Sequence, residues 1–182
     1  MAAKNPARRQ ICTGRTQVGF TLLEMLIMVI IVLILAAVAM PIYFGSEDKT
    51  REGAVKNNMR MVQMAAESYA HDRGGLYPAK MDDEYFCYFP GGSPKTKSRG
   101  QAHGPTNPYT RQPEWPILGS VNDVQGVRSS VPTLVGTAGQ IEYSPISGPG
   151  GIVGYAIRGA RKNGLALPGT SPMTTFVLTR QN

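Results

Sequence analysis

The sequence predicts an α+β chain. One long N-terminal α-helix, half of it membrane-spanning and half amphipathic, packs on a small antiparallel β-sheet head. Three observations carry this. Met25 to Phe44 is a run of 20 residues without a charge. An amphipathic stripe follows it. The last third of the chain alternates polar and apolar residues between Gly- and Pro-rich turns. The 182 residues suit one ordinary domain rather than a multidomain assembly. The charged fraction is 17%, with 21 Gly and 14 Pro. Soluble domains average about 25% charged, so a small core with many turns is expected.

The elements divide as 1–19, 20–44 and 45–182. Residues 1–19 hold Lys4, Arg8, Arg9 and Arg15 and no acid. The apolar run that follows meets the ~17–25 residues a spanning helix needs. Two ordinary readings fit it. A cleaved secretory signal would use Ala37-Val38-Ala39 as its small-residue site, although an h-region is usually only ~7–15 residues long. A plain single-pass anchor would leave Glu24 at the membrane interface. Arg8, Arg9 and Arg15 precede the run and Lys49, Arg51 and Lys56 follow it, so the positive-inside rule does not set its orientation.

Beyond Phe44, Val55, Met59, Val62, Ala66 and Tyr69 recur every three or four residues, the stripe of a helix facing a core. Met61, Met64 and Ala65 widen it. Gly74-Gly75 ends it. One helix over 20–73 is expected, bent or locally unwound at Pro41, which lacks a backbone donor. Two helices broken near Pro41 and Gly45 is the alternative.

Asp82-Asp83-Glu84 lacks the spaced partners of a metal site and reads as a solvated acidic turn. Tyr85-Phe86-Cys87-Tyr88-Phe89 reads as core. Residues 91–114 read as loop. Lys95, Lys97 and Arg99 form its one tight basic group, a possible contact for DNA phosphates or another anionic surface. Without a nucleic-acid module the simpler reading is a solvated loop. Trp115, His103 and His71 suggest no chemistry. Strands are predicted at 140–143, 153–158 and 175–179, linked through 147–151 and 162–164. Three strands with one apolar face need cover, and the amphipathic helix supplies it. No catalytic triad, phosphate loop or zinc spacing occurs, so an enzyme is not expected and no cofactor is implied.

Gly19-Phe20-Thr21-Leu22-Leu23-Glu24, with its basic leader, the apolar run and Pro41, resembles the prepilin signature of type IV pilins and pseudopilins. The resemblance covers about the first quarter of the chain. It implies that a prepilin peptidase cuts between Gly19 and Phe20 and that Phe20 becomes N-methylated. Glu24 is then the family's acidic residue and, with Pro41, an assembly position. It implies insertion in the bacterial inner membrane with the leader cytoplasmic. An inner-membrane platform would then assemble the chain with other pilin subunits into a pilus or pseudopilus, in the periplasm or at the cell surface. A pilus subunit, a type II secretion pseudopilin and a DNA-uptake minor pilin all share this signature.

The physical logic of Glu24 also stands without the family. A carboxylate in an apolar span is costly, by about 2.5–3.5 kcal/mol at its centre, so it needs a partner. The new amine at Phe20 of a neighbouring subunit could be that partner and set axial register. Asn107-Pro108-Tyr109 resembles a turn of pseudopilin-like heads. Two family features are not expected here. Removal of the leader takes Cys12 and leaves Cys87 alone, so no disulfide can close a loop. No Asp or Glu follows Glu142, so the calcium site of major pseudopilins lacks its carboxylates. The net charge of +7 falls to +3 without the leader, which weakens any nucleic-acid reading.

Overall fold

A computed structural model describes residues 19–180, the side chains of 41–45 excepted. The leader and Cys12 therefore lie outside the described residues, apart from Gly19. The chain divides into two compact units, Met1–Tyr43 and Phe44–Asn182.

Helix α1 spans Leu22–Asp72 as one element. Its assignment runs through Pro41, so the alternative of two separate helices is not realised; the side chain of Pro41 is outside the described set. The helix starts at a capping motif. The Thr21 hydroxyl accepts from the backbone N–H of Glu24 at 3.2 Å, a Thr-x-x-Glu start that satisfies one orphan donor of the first turn. It ends where Gly74 and Gly75 adopt positive φ (65° and 92°). There the N–H of Gly75 reaches back to the carbonyl of Ala70 at 2.8 Å, a closure that favours glycine because a Cβ opposes that backbone.

In the second unit the stripe on α1 faces the core. Val55, Met59, Val62 and Ala66 are fully buried and Ala65 nearly so, while Tyr69 is half-buried. Met64 departs from expectation. It is 64% exposed, because two residues past Val62 is about 200° around a helix of ~3.6 residues per turn.

The sheet has four strands in the order β1-β2-β3-β4: Ile117–Leu118, Ile141–Gly148, Gly151–Gly159 and Leu178–Thr179. It is mixed rather than antiparallel. β2–β3 and β3–β4 are antiparallel, as expected, but β1 runs parallel to β2 through Ile117↔Glu142 and Leu118↔Tyr143. A two-residue strand leaves no periodicity to read. Its parallel pairing needs a long crossover, which residues 119–140 supply, including helix α3 (Val124–Arg128). β2 continues past Tyr143 through Pro145 to Gly148. β1 reaches only to Tyr143, so Pro145 sits where β2 is an edge, the place a sheet tolerates proline. The predicted strand at 175–179 is a strand only at its end; Thr175 instead forms an isolated bridge with Pro168.

The aromatic run is core, as expected. Helix α2 (Asp83–Phe86) buries Tyr85 and Phe86, and Cys87 and Phe89 are buried after it. Tyr85 is fully enclosed. Its hydroxyl donates to the Val62 carbonyl at 2.9 Å, and its ring meets those of Phe89 and Tyr143 at 5.2 and 5.7 Å. Tyr143 stacks in turn on Tyr155 at 5.9 Å. Cys87 is the free cysteine of the head, and burial pushes its thiol up.

Burial also raises the phenols of Tyr85, Tyr143 and Tyr155 well above their ordinary value near 10. In the unfolded chain these phenols ionise first, so the unfolded state binds fewer protons above pH ~10. The phenol contribution to stability should therefore be complete below about pH 10 and decline above it. A thermal melt followed at pH 8 and pH 11 checks this, and an unchanged midpoint would contradict it.

Candidate functional site

The apolar half of α1 is the least partnered surface among the described residues. Leu22–Met40 has a mean hydropathy of 3.1 over 19 residues, and none of it is buried within the chain. It is long and apolar enough to span a membrane. Exposure runs all round: the consecutive residues Met25 to Leu35, three turns of helix, are each 47–65% exposed. A helix that is hydrophobic on every side is stable only when lipid or other helices cover it. Contiguous exposed apolar surface on this scale marks an interaction site.

Gly19 and Phe20 precede this surface. Both are exposed and lie outside the helix, which begins two residues later at Leu22. The Gly19–Phe20 bond is thus presented on non-helical chain. Nothing crowds Gly19 within 4 Å of where a Cβ would stand. Glu24 sits in the first turn of α1, where its charge meets the positive end of the helix dipole. The Thr21 cap gives this residue a second role: Thr-x-x-Glu marks where the helix begins, independently of what Glu24 meets elsewhere. That signal was available in the sequence as a capping box.

The three basic residues of the 91–100 loop are not equivalent. Lys95 lies in a short 3₁₀ turn, Pro94–Thr96, and Lys97 caps it at φ 51°. Both are exposed. Arg99 instead lies over Trp115 at 4.6 Å and Phe86 at 5.5 Å, with Asp83 at 3.4 Å. Trp115 stacks on Phe86 at 4.0 Å. Arg99 therefore rests its guanidinium on the rim of the core while its side chain stays 44% exposed, whereas no ring lies under either lysine among the described residues. The acidic turn has local duties too. The Asp82 carboxylate accepts from the Tyr85 N–H and caps α2, and Glu84 pairs with Arg73.

Asn107 of the Asn-Pro-Tyr turn is 2% exposed and fully bonded. Its amide donates to Glu114 at 2.9 Å and to the Ala138 carbonyl at 2.8 Å, and its oxygen accepts from the Tyr109 N–H at 2.9 Å. It pins two long loops together. Glu67 on α1 accepts from the hydroxyls of Tyr77 (2.9 Å) and Tyr155 (2.5 Å), tying helix to sheet.

The pair that sequence reasoning missed is Glu142–Arg158, cross-strand neighbours in β2 and β3. Arg158 Nη2 donates to both Glu142 oxygens at 2.9 and 2.8 Å, and Nη1 donates to Thr133 Oγ1 at 2.8 Å. Both side chains are about nine-tenths buried. Strand alternation places Glu142 on the face away from Ile141 and Tyr143, but the crossover covers that face as well.

No family model matches the chain, and no curated protein or solved structure is significantly similar to it.

Proposed function

We propose that the chain is a structural subunit of a type IV pilus or pilus-like filament. A prepilin peptidase cuts it between Gly19 and Phe20 and methylates Phe20, and it then polymerises through its N-terminal helix. One observation carries the reading. The Gly-Phe-Thr-Leu-Leu-Glu string opens a helix whose first 19 residues are apolar apart from Glu24 and unburied, while the rest of the chain closes its own core around the second half of that helix. Before assembly lipid covers the apolar half; in the filament, neighbouring helices do. Packing there rests on many small dispersion contacts among Leu, Ile, Val and Ala. The mechanism is assembly rather than turnover, and it needs no cofactor. The partners are other pilin subunits, the peptidase and an inner-membrane platform. The same signature serves a type II secretion pseudopilin. A DNA-uptake role would rest on Lys95, Lys97 and Arg99, all three exposed, with Arg99 held over Trp115 and Phe86.

The deciding measurement is the mass of the mature N-terminus. A chain that begins at methyl-Phe20 supports the reading; one that begins at Met40 assigns the segment to a secretory signal and ends it. Glu24 can then be tested apart from its place at the helix start. Glu24→Gln keeps the capping-box residue type and removes the charge. It should be cleaved normally and be incorporated into filaments far less than wild type. Equal incorporation would remove the register role of the carboxylate.

A further inference from the structure

An unbroken line of aromatic rings crosses the head, and the filament reading makes no use of it. Trp115 is the one tryptophan of the chain and stands half-buried at one end. Its ring centre lies 4.0 Å from that of Phe86 and 5.3 Å from that of Phe89. Phe89 lies 5.2 Å from Tyr85, Tyr85 lies 5.7 Å from Tyr143, and Tyr143 lies 5.9 Å from Tyr155. The far end differs from the middle in its hydrogen bonds. The Tyr85 hydroxyl donates to the Val62 carbonyl, which cannot take the proton. The Tyr143 hydroxyl is buried with no hydrogen-bond partner among the described residues. Tyr155 donates to the Glu67 carboxylate at 2.5 Å and accepts from the Gln63 amide at 3.0 Å. Glu67 is itself exposed.

These bonds decide where a hole, the place of one missing electron, can rest. A phenol that loses an electron becomes strongly acidic, and a buried uncompensated charge is costly. Tyr85 and Tyr143 can pass a hole on but not keep it. Tyr155 can keep it, because its proton has a carboxylate within reach. Arg99, 4.6 Å from the centre of the Trp115 ring, is attracted by an electron-rich indole face and repelled by one that has lost an electron, which favours movement inward. A branch leads from Tyr85 through Tyr69, 6.1 Å away, to Tyr88, whose hydroxyl donates to Asp72 at 3.0 Å. It is the poorer route. Its rings meet edge-on, at 84° and 65°, whereas the planes of Tyr143 and Tyr155 lie at 21°. The Arg73 guanidinium also stands over Tyr69 at 5.2 Å and opposes a hole there.

We infer that the head carries a one-electron path from Trp115 to Tyr155, with Glu67 as the proton acceptor. The co-reactant is a small oxidising radical in solution. It takes one electron from Trp115, and the indole N–H proton leaves to water. Tyr155 then returns one electron by way of Tyr143, Tyr85 and the phenylalanine rings. Its phenolic proton moves to Glu67 Oε1, and the indole takes a proton back from water. Trp115 is restored and a neutral phenoxyl radical stands at Tyr155. The test is pulse radiolysis of the full chain in neutral detergent with the azidyl radical, which at neutral pH oxidises indole faster than phenol. The indolyl absorption should decay into that of a phenoxyl in a first-order step whose rate is independent of protein concentration. Glu67→Gln keeps an acceptor oxygen but cannot hold the proton, and should slow the step about tenfold or more. Tyr143→Phe keeps the packing and leaves a ring that is not readily oxidised; it should slow the step as well. Tyr88→Phe should match wild type. A circular dichroism melt checks that each variant folds. No conversion, a rate that rises with protein concentration, or wild-type rates in E67Q and Y143F overturns the inference, as does a Y88F variant slower than E67Q. None of these outcomes depends on the cut at Gly19 or on filament formation.

Discussion

Glu142→Ala should destabilise the head by about 3–5 kcal/mol, the usual cost of leaving one partner of a buried ion pair alone. Arg158 would keep only Thr133, inside a layer where its side chain is 10% exposed. Ser144, whose hydroxyl donates to Glu142 at 3.1 Å, would lose that acceptor too. Replacing both charges with Met should recover most of the loss, because an apolar pair leaves no charge behind. Urea unfolding of the chain in detergent, followed by near-ultraviolet circular dichroism of the tyrosines, reads both variants. An E142A curve that overlays wild type would show that the crossover opens to water and that the pair is not truly enclosed.

Tyr85→Ala should cost a similar amount, about 3–5 kcal/mol, as large-to-small changes of buried aromatics do. Tyr85 is the ring on which α1, α2 and the sheet converge: it touches Tyr69, Phe86, Phe89 and Tyr143. Tyr85→Phe separates ring from hydroxyl. It keeps the packing and loses one hydrogen bond to Val62, so about 0.5–1.5 kcal/mol is expected. If Y85F proved as damaging as Y85A, the hydroxyl rather than the ring would be the dominant contribution. The same unfolding assay distinguishes these outcomes.

The parts of this fold that were legible in the sequence are those with a period. The stripe from Val55 to Tyr69 and the strands around Tyr143 and Tyr155 repeat at helix and sheet spacing, so their buried faces could be read in advance. Met64 was misplaced because an apolar residue was counted with the stripe although its angle lies off it. What stayed hidden has no period. β1 is two residues long, and its partner lies far along the chain. Glu142 reads as a solvent-side residue in an alternating strand; only the crossover packed over it makes that face a second interior. Arg99 looked like one of three equal charges, because nothing local reveals that Trp115, sixteen residues on, comes to lie beneath it. The helix start at Thr21–Glu24 is written in a contiguous string, and the hydrogen bond from the Glu24 N–H to the Thr21 hydroxyl gives a local reason for where the helix begins.

The parallel strand β1 carries one more consequence, for the order in which the head folds. β2 and β3 are joined by a tight turn at Pro149-Gly150 and pair over almost their whole length, so little chain entropy opposes their meeting. β1 can dock only on the β2 edge, after residues 119–140 have looped back, and loop closure must precede any reward from such distant contacts. The hairpin is therefore expected to act as the template and the crossover to close late, sealing Glu142 and Arg158 beneath it as its last step. Until then that ion pair is hydrated, and its desolvation falls on the final stage of folding. A chain that stopped short of this closure would expose a wet, half-built sheet edge at β2, the kind of edge on which foreign strands add.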